Sequence, residues 1–442
     1  MKTLHLVSLG CAKNLVDSEM MLGSLEQGGY TVVENPADAD LLLVNTCGFL
    51  QSAVEEAVDE ILALAEYKQQ DHSKKLIVTG CMVQRYGNEL QAELPEVDLF
   101  IGIDDEIRIL ELINGLKNDS SLVLTRPSRF LLSYDSPRRL STPRFRSYLK
   151  ITEGCDNCCT YCMIPSIRGD LRSRTVEDLL AEAQSLANAG LSELTLIAQD
   201  LTAYGDDLGS HINLPGLLLS LLQKTDIPWL RLLYLYPVSI SKELLQLMAD
   251  QPRIVPYLDI PFQHVSDAVL KRMNRRYGRD DLDSIVNQIR HYLPDCALRT
   301  TMLVGFPGET EQDFEELLTC LEHWQLDHVG VFPYEDEEGS IAAGLSRKIS
   351  AEEKQIRYQR VMELQAGISR KKLEQYVGRV ESVLVEGVSR ETDLLLEGRT
   401  RFQAPDIDGC VYINEGTANP GDIVQVHITE AHIYDLVGSI QE

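Results

Sequence analysis

Short apolar runs alternate with helical stretches over most of the chain, and this alternation limits its fold more than any other feature. Within residues 1–125 the strand candidates are LHLVSLG, YTVVE, LLLVNTCGF and KKLIVTG. The stretch SAVEEAVDEILALAEY places apolar residues at the helical period of about 3.6 residues. Strand–helix alternation is typical of a parallel sheet covered by helices. We therefore expect residues 1–125 to form an α/β domain with a parallel sheet.

The same alternation returns over residues 146–373. The strand candidates there are YLKIT, LTLIAQ, WLRLLYLYP, YLDIPF, ALRTTMLVG and HVGVFPY, with helical stretches between them. Six such units predict a partial (β/α)6 barrel of the TIM type. Barrels of this type carry their chemistry at the carboxyl ends of the strands. We expect the functional residues of this domain in the loops that follow its strands.

Residues 126–145 separate these two domains and combine Arg with Pro. This composition predicts a basic linker rather than an element of either sheet. Two interpretations are open: a solvated connector, which is the simpler one, and a basic strip that touches a substrate or nucleotide.

Residues 376–442 have a different pattern. The short β runs RVESVLVEG, LLLEGRT, GCVYIN and DIVQVHIT are broken by Gly, Asn, Asp and Pro, which predicts a small antiparallel β-barrel of the OB type. This segment has four Arg, no Lys and twelve Asp or Glu, a net charge of −8. OB-type domains that bind single-stranded nucleic acid use a positive groove with stacking aromatics. We therefore expect no direct RNA binding by this domain, and a basic protein as its partner.

The whole chain of 442 residues is acidic, with a net charge of −27. Its start, MKTLHLVSLGCAKN, has no signal-peptide layout, and no run approaches the roughly 20 apolar residues of a membrane span. We expect a cytoplasmic protein without a membrane partner. In a reducing compartment its ten cysteines are expected to be metal ligands or catalytic thiols rather than disulfides.

Four of these cysteines lie in GCDNCCTYC, directly after the first strand candidate of the barrel. Cys155, Cys159 and Cys162, called here the loop triple, give three thiolates that can hold one soft metal site. A structural zinc site has four ligands, usually in two pairs, and three thiolates do not provide that set. Three thiolates on a four-iron cluster leave one iron open to a small molecule. Spacing alone also allows Cys158 in place of Cys159.

Three further cysteines each follow a strand candidate of the first domain: Cys11, Cys47 and Cys81, called here the first-domain triple. The carboxyl ends of neighbouring parallel strands face one crevice, so residues distant in sequence can meet there. The neighbours of these cysteines are small or polar, as a close ligand approach requires. Two interpretations stay open: three unrelated buried thiols, or a second iron–sulfur cluster that faces the loop triple.

The stretch GCDNCCTYCMIPSIRG resembles the cluster loop of the radical S-adenosylmethionine enzymes, in which Cys159 rather than Cys158 is the ligand. Together with SLGCAKNLVDSE, NTCGF, TGCMVQRY and a final domain that resembles a TRAM domain, the chain is similar to the methylthiotransferases from about residue 3 to about residue 438. GCAKNLVDSE and FQAPDIDGCVYIN look like the branch that modifies an aspartate of ribosomal protein S twelve.

This resemblance implies two 4Fe-4S clusters, an auxiliary one on the first-domain triple and a radical-generating one on the loop triple. It implies that one S-adenosylmethionine supplies a methyl group and a second yields a 5′-deoxyadenosyl radical. Hydrogen then leaves the β-carbon of the target aspartate, and a methylthio group replaces it. A reductant such as flavodoxin or ferredoxin is also expected. Two alternatives remain: a tRNA adenosine methylthiotransferase, and a zinc-binding protein-interaction module without activity.

Several polar residues at the ends of barrel strands are candidates for cofactor contacts. Gln199, Asp200, Gln263 and Gly305 are candidate S-adenosylmethionine contacts, although ordinary βα turns would place the same residue types there. We expect His264 to be a polar loop residue. The remaining expectations are structural ion pairs for Arg168, Arg172 and Arg174, and core packing for Cys296, Cys320 and Cys410.

Overall fold

The computed structural model describes residues 2–116, 122–209 and 211–441. The outermost residues of the predicted first and last domains, Met1 and Glu442, therefore lie outside the described residues. Within these ranges, no helix has both the length and the hydropathy that a bilayer crossing requires.

The first domain is a six-stranded parallel sheet in the order β2-β1-β3-β4-β5-β6. Its strands are β1 Lys2–Ser8, β2 Tyr30–Val32, β3 Leu41–Thr46, β4 Lys75–Gly80, β5 Leu99–Ile101 and β6 Leu122–Leu124. Its helices are α1 Ala12–Gln27, α2 Gln51–Gln70, α3 Cys81–Tyr86, α4 Asn88–Glu93 and α5 Ile109–Gly115. The predicted parallel α/β domain is confirmed. The short strands β5 and β6 were not predicted, because three residues are too few to show a period.

The central strand β3 shows why this sheet is continuous and hydrophobic. All six of its residues are buried. Leu42 packs with Ile61 of α2 on one face, and Leu43 packs with Met20 of α1 on the other. A parallel strand covered on both faces needs apolar residues at successive positions rather than at alternate ones, as LLLV provides.

The second domain is an open six-stranded parallel sheet in the order β14-β13-β12-β11-β10-β7. The strands of this sheet are β7 Arg146–Lys150, β10 Glu193–Ile197, β11 Trp229–Leu232, β12 Ile254–Asp259, β13 Ala297–Val304 and β14 His328–Pro333. Two short strands, β8 Thr152–Glu153 and β9 Arg172–Ser173, form a separate antiparallel pair. The helices of this domain are α6 Ile164–Arg168, α7 Val176–Asn188, α8 Leu214–Lys224, α9 Lys242–Asp250, α10 Asp267–Arg272, α11 Arg279–Tyr292, α12 Glu311–Trp324 and α13 Ala351–Glu374. The predicted partial (β/α)6 barrel is confirmed.

The two faces of this open sheet pack against different parts of the chain. One face, with Leu196 and Leu232, packs against the helices of the same domain. On the other face, Tyr148 and Trp229 belong to a hydrophobic cluster that also contains Val16 of α1. Residues of the third domain, such as Phe402, complete that cluster. The concave side of the open sheet is therefore filled by its two neighbouring domains.

The third domain is a closed barrel of five strands in the order β15-β16-β17-β19-β18. They are β15 Val380–Val388, β16 Leu396–Thr400, β17 Val411–Glu415, β18 Ile423–Ala431 and β19 Leu436–Ile440. A closed small barrel is confirmed, but the expectation of an antiparallel one is wrong at β17 and β19, which pair in parallel. An odd number of strands cannot close with every pair antiparallel. The short strand β19 was not predicted from the sequence, so this parallel pair was not predicted either.

The linker, residues 126–145, contains no helix or strand, yet it is not a solvated connector. Its Leu132 and Phe145 are buried. The buried guanidinium of Arg138 donates to Glu19 of α1 at 2.7 Å and forms a second ion pair with Glu182 of α7. The basic character of the linker is thus used inside the protein, where Arg138 joins the first two domains.

Candidate active site

A cavity of about 340 Å³ lies between the first and second domains, at the carboxyl ends of both parallel sheets. Both cysteine triples line it: Cys11, Cys47, Cys81, Cys155, Cys159 and Cys162. The expectation that the first-domain triple faces the loop triple agrees with this placement. No group of three or more His, Cys, Asp or Glu side chains within the described ranges is arranged for a single metal ion.

The first-domain triple converges because its three strands are neighbours in the sheet. Cys11 precedes α1, Cys47 follows β3, and Cys81 opens α3. A Cβ atom at Gly10 would lie 2.8 Å from the Cβ of Cys47, and one at Gly48 would lie 2.7 Å from the backbone carbon of Cys81. The loops that carry the three thiols are therefore in close contact, and glycine permits this approach.

The loop triple lies on the segment between β8 and α6. Its backbone is fixed where the amide of Cys155 donates to Gly169 O at 3.1 Å and the amide of Cys162 donates to Cys159 O at 3.1 Å. The thiol of Cys158 is exposed and donates to Asp156 O at 3.6 Å, and Cys158 does not line the cavity. The geometry therefore favours Cys159 over Cys158 as the third member.

The thiols of the cavity differ in their readiness to ionise. Burial raises the pKa of Cys81 and of Cys162 to about 12. Burial acts in the same direction on Cys11, but the charges of Lys13 and Arg168 and the nearby backbone amides outweigh it and lower the pKa of Cys11. A bound metal deprotonates its thiol ligands outright. The raised pKa values of Cys81 and Cys162 do not suit a site of free thiolates. Three thiols on each side of the cavity instead fit a soft, iron-containing group that would deprotonate them on binding.

A buried charge network joins the two domains beside the cavity and consists of Asp17, Lys150, Glu153 and Arg168. Arg168 pairs with Asp17 and with Glu153, each at 2.9 Å. Lys150 pairs with Glu153 at 2.7 Å and also contacts Asp17. Arg168 Nη2 lies 3.3 Å from Cys81 Sγ, so a barrel residue touches a thiol of the first domain. The expected structural ion pairing of Arg168 is confirmed.

Three of the four candidates for S-adenosylmethionine contacts line the cavity. Gln199 donates to Glu153 Oε1 at 2.8 Å, while its own Oε1 is buried without a hydrogen-bond partner. Asp200 accepts from Asn157 at 2.7 Å, and Gln263 is held at a φ of 69°. An unsatisfied buried acceptor at Gln199 suits the amino group of such a cofactor.

The fourth candidate, Gly305, does not line this cavity. A Cβ atom at Gly305 would lie 3.2 Å from the Cβ of Lys354 in α13. His264 lies in the loop between β12 and α10, as expected for a polar loop residue, but it is fully buried. The His264 ring accepts from the Ser266 amide at 3.0 Å and lies 3.8 Å from Glu309.

The chain matches three protein families in succession. Residues 3–102 match the uncharacterized protein family UPF0004, residues 149–321 the radical SAM superfamily, and residues 377–440 the TRAM domain. It is 57% identical over 440 residues to the ribosomal protein uS12 methylthiotransferase RimO of Desulfotalea psychrophila, covering 99% of this chain and 98% of the relative. The chain belongs to the RimO family of methylthiotransferases.

A second RimO relative, from Geotalea uraniireducens, is 49% identical over 98% of this chain and 97% of its own length. Among solved structures, the radical S-adenosylmethionine methyltransferase TsrM of Kitasatospora setae superposes with a TM-score of 0.56. TsrM is 13% identical to this chain, over 86% of it and 81% of TsrM, so that likeness concerns the fold alone. These findings confirm the resemblance to radical SAM enzymes and methylthiotransferases.

The RimO-family site also contains residues that no sequence motif predicted. Lys13, Tyr234 and Arg275 line the cavity. Arg275 Nη1 lies 3.4 Å from Cys159 Sγ, and the guanidinium stacks over the ring of Tyr236 at 4.6 Å. Lys13 could have been predicted as a site residue, because it lies two residues after Cys11. The positions of Tyr234 and Arg275 depend on contacts between segments far apart in sequence, which periodicity does not show.

Proposed function

We propose that this chain transfers a methylthio group to the β-carbon of an aspartate in ribosomal protein uS12, the substrate named for its RimO relatives. The observation that carries the proposal is the single cavity lined by two cysteine triples from two domains. A reaction that needs both a carbon radical and a sulfur source requires two such centres within reach of one substrate atom.

Each triple has its own task in this proposal. The first-domain triple would hold the auxiliary 4Fe-4S cluster, and the loop triple would hold the radical-generating one. When bound, these clusters and S-adenosylmethionine supply the electron, the carbon radical and the sulfur. Gln199 and Asp200 would orient the cofactor at the barrel strands, and Arg275 would steady the thiolate of Cys159 by its positive charge.

The protein around the cavity keeps the two centres in register and limits access of water. The charge network holds α1 of the first domain against the start of the barrel. The aromatic and apolar side chains of Phe49, Tyr161, Ile164 and Tyr234 line the cavity. Such a wall protects a reactive carbon centre from solvent and from side reactions.

The acidic third domain supports a protein substrate. Its net charge of −8 between residues 376 and 442 attracts a basic ribosomal protein and disfavours RNA phosphates. The proposal therefore includes uS12 as partner, a reductant such as flavodoxin or ferredoxin, no direct RNA contact by this domain, and action in the cytoplasm. A tRNA substrate is not favoured, because the relatives named above are uS12 enzymes.

The test is intact-mass spectrometry of uS12 from cells with and without this gene. We expect one methylthio mass on uS12 only when the gene is present, and its loss in a Cys47→Ala variant. Cys410→Ala is the matched control, because Cys410 is half-buried in the third domain away from the cavity, and uS12 should stay modified. An unmodified uS12 together with gene-dependent methylthio groups in tRNA would contradict the proposal.

A further inference from the structure

Lys13 is a cavity residue with no role assigned so far. Its side chain is half-buried and reaches from α1 across the domain boundary, where Nζ lies 3.4 Å from Ala198 O. The same Nζ lies 3.4 Å from the centre of the Tyr234 ring. Within the part of the chain that the structure describes, no carboxylate is within ion-pair distance of it. Lys13 therefore brings a cation into the cavity without an acidic partner.

The other cations of the cavity are already engaged. Arg168 is shared between two carboxylates of the charge network. Arg275 donates to Tyr277 Oη and to Pro261 O, each at 2.6 Å, and lies beside Cys159, on the side of the loop triple. Arg168 also touches Cys81 of the first-domain triple, but its charge is paired. Among the described residues that line the cavity, Lys13 is thus the cation on the side of the first-domain triple that has no carboxylate partner, two residues from Cys11.

The ring beneath Lys13 is held in place by a strained backbone. Tyr234 has a φ of 67°, a left-handed conformation that a bulky residue rarely adopts. Leu201 N donates to Tyr234 O at 2.8 Å, and Tyr234 N donates to Asp259 at 3.3 Å. Such strain is characteristic of ligand sites, where the surrounding structure enforces it. The ring and the ammonium therefore form one prearranged unit that faces the cavity.

We propose that Lys13, positioned by Tyr234, binds the side-chain carboxylate of the target aspartate. The proposal rests on the proposed function and names the carboxylate subsite of that reaction. The reacting β-carbon is bonded directly to the carboxylate carbon, and sulfur must reach it from the side of the first-domain triple. A group close to the first-domain triple can therefore reach the carboxylate, and Lys13 lies there. A charge-assisted hydrogen bond from an ammonium gives both affinity and orientation.

The test measures binding rather than turnover. The affinity of the cluster-loaded protein is determined for two peptides of the modified uS12 segment, one with the target Asp and one with Asn in its place. We expect wild-type protein to prefer the Asp peptide by roughly 10- to 100-fold, the usual range for a hydrogen bond to a charged group. Lys13→Gln should bind both peptides with equal affinity, and Lys13→Arg should retain most of the preference.

Lys2→Gln is the matched control, because Lys2 also lies over a tyrosine ring, that of Tyr30 at 5.1 Å, but does not line the cavity. It should keep the full preference for the Asp peptide. If Lys13 only bridges the domains, its replacement should lower both affinities alike and leave the preference for the Asp peptide unchanged. A Lys13→Gln protein that still prefers the Asp peptide would therefore overturn the proposed subsite. Wild-type protein that shows no preference and leaves uS12 unmodified would instead refute the proposed function.

Discussion

Replacing Gly80 with Ala should remove one iron–sulfur cluster and leave the other. Gly80 ends β4 with a φ of 101°, and an added Cβ would lie 2.5 Å from the backbone oxygen of Thr46, about 0.9 Å closer than ordinary contact. Backbone at the centre of a buried sheet does not yield by that amount, so the chain at Cys81 must shift. Metal–ligand distances normally vary by only about 0.2 Å. Cys81, the residue after Gly80, is a member of the first-domain triple, so a shift there should disturb its ligation.

The assay is iron and acid-labile sulfide per chain after anaerobic reconstitution. We expect about eight irons in wild-type protein and about four in Gly80→Ala, given four per cluster, with 5′-deoxyadenosine still formed and methylthio transfer lost. Gly190→Ala is the control: its φ is 88° but nothing lies within 4 Å of its added Cβ. It should lose only about 1–2 kcal/mol of stability and keep all its iron. A Gly80→Ala protein with full iron and full transfer would refute the reasoning.

Two further perturbations give separate readouts. Glu193 is fully buried between Arg231 and Arg399, each at 2.6 Å. Glu193→Gln should therefore lower the free energy of unfolding, measured in urea, by about 3–5 kcal/mol. Arg370 is exposed, so the control Arg370→Gln should change that free energy by less than about 1 kcal/mol. The pKa of Glu193 is lowered to about 2 despite burial, because both arginines favour its charged form. Its contribution to the free energy of unfolding is therefore present above pH about 4.5 and is lost towards pH 2. The thermal midpoint of wild type should fall more steeply over that pH interval than that of Glu193→Gln. Cys155→Ala should abolish 5′-deoxyadenosine formation while about four irons remain on the first-domain triple; iron loss to zero would show that the two sites are not independent.

The cysteine site was predictable from sequence because its geometry follows from a local rule. Each member of the first-domain triple follows a strand, and parallel strands bring their carboxyl ends to one edge. The carboxylate subsite was not predictable, because Lys13 and Tyr234 lie in different domains and meet only through the packing of α1 on the barrel. The ion pair of Arg138 was not predictable for a related reason: composition marks the linker as basic, but the contact with Glu19 depends on tertiary packing.

The filled concave side of the open central sheet has a consequence for how such enzymes can be divided or recombined. Val16, Trp229 and Phe402 belong to three different domains and share one hydrophobic cluster. A barrel fragment expressed alone would expose the apolar residues of that face to water and would aggregate rather than fold. The three domains are therefore not interchangeable modules: exchanging the last domain for one with different ligand preferences requires compensating substitutions at its contact with the barrel.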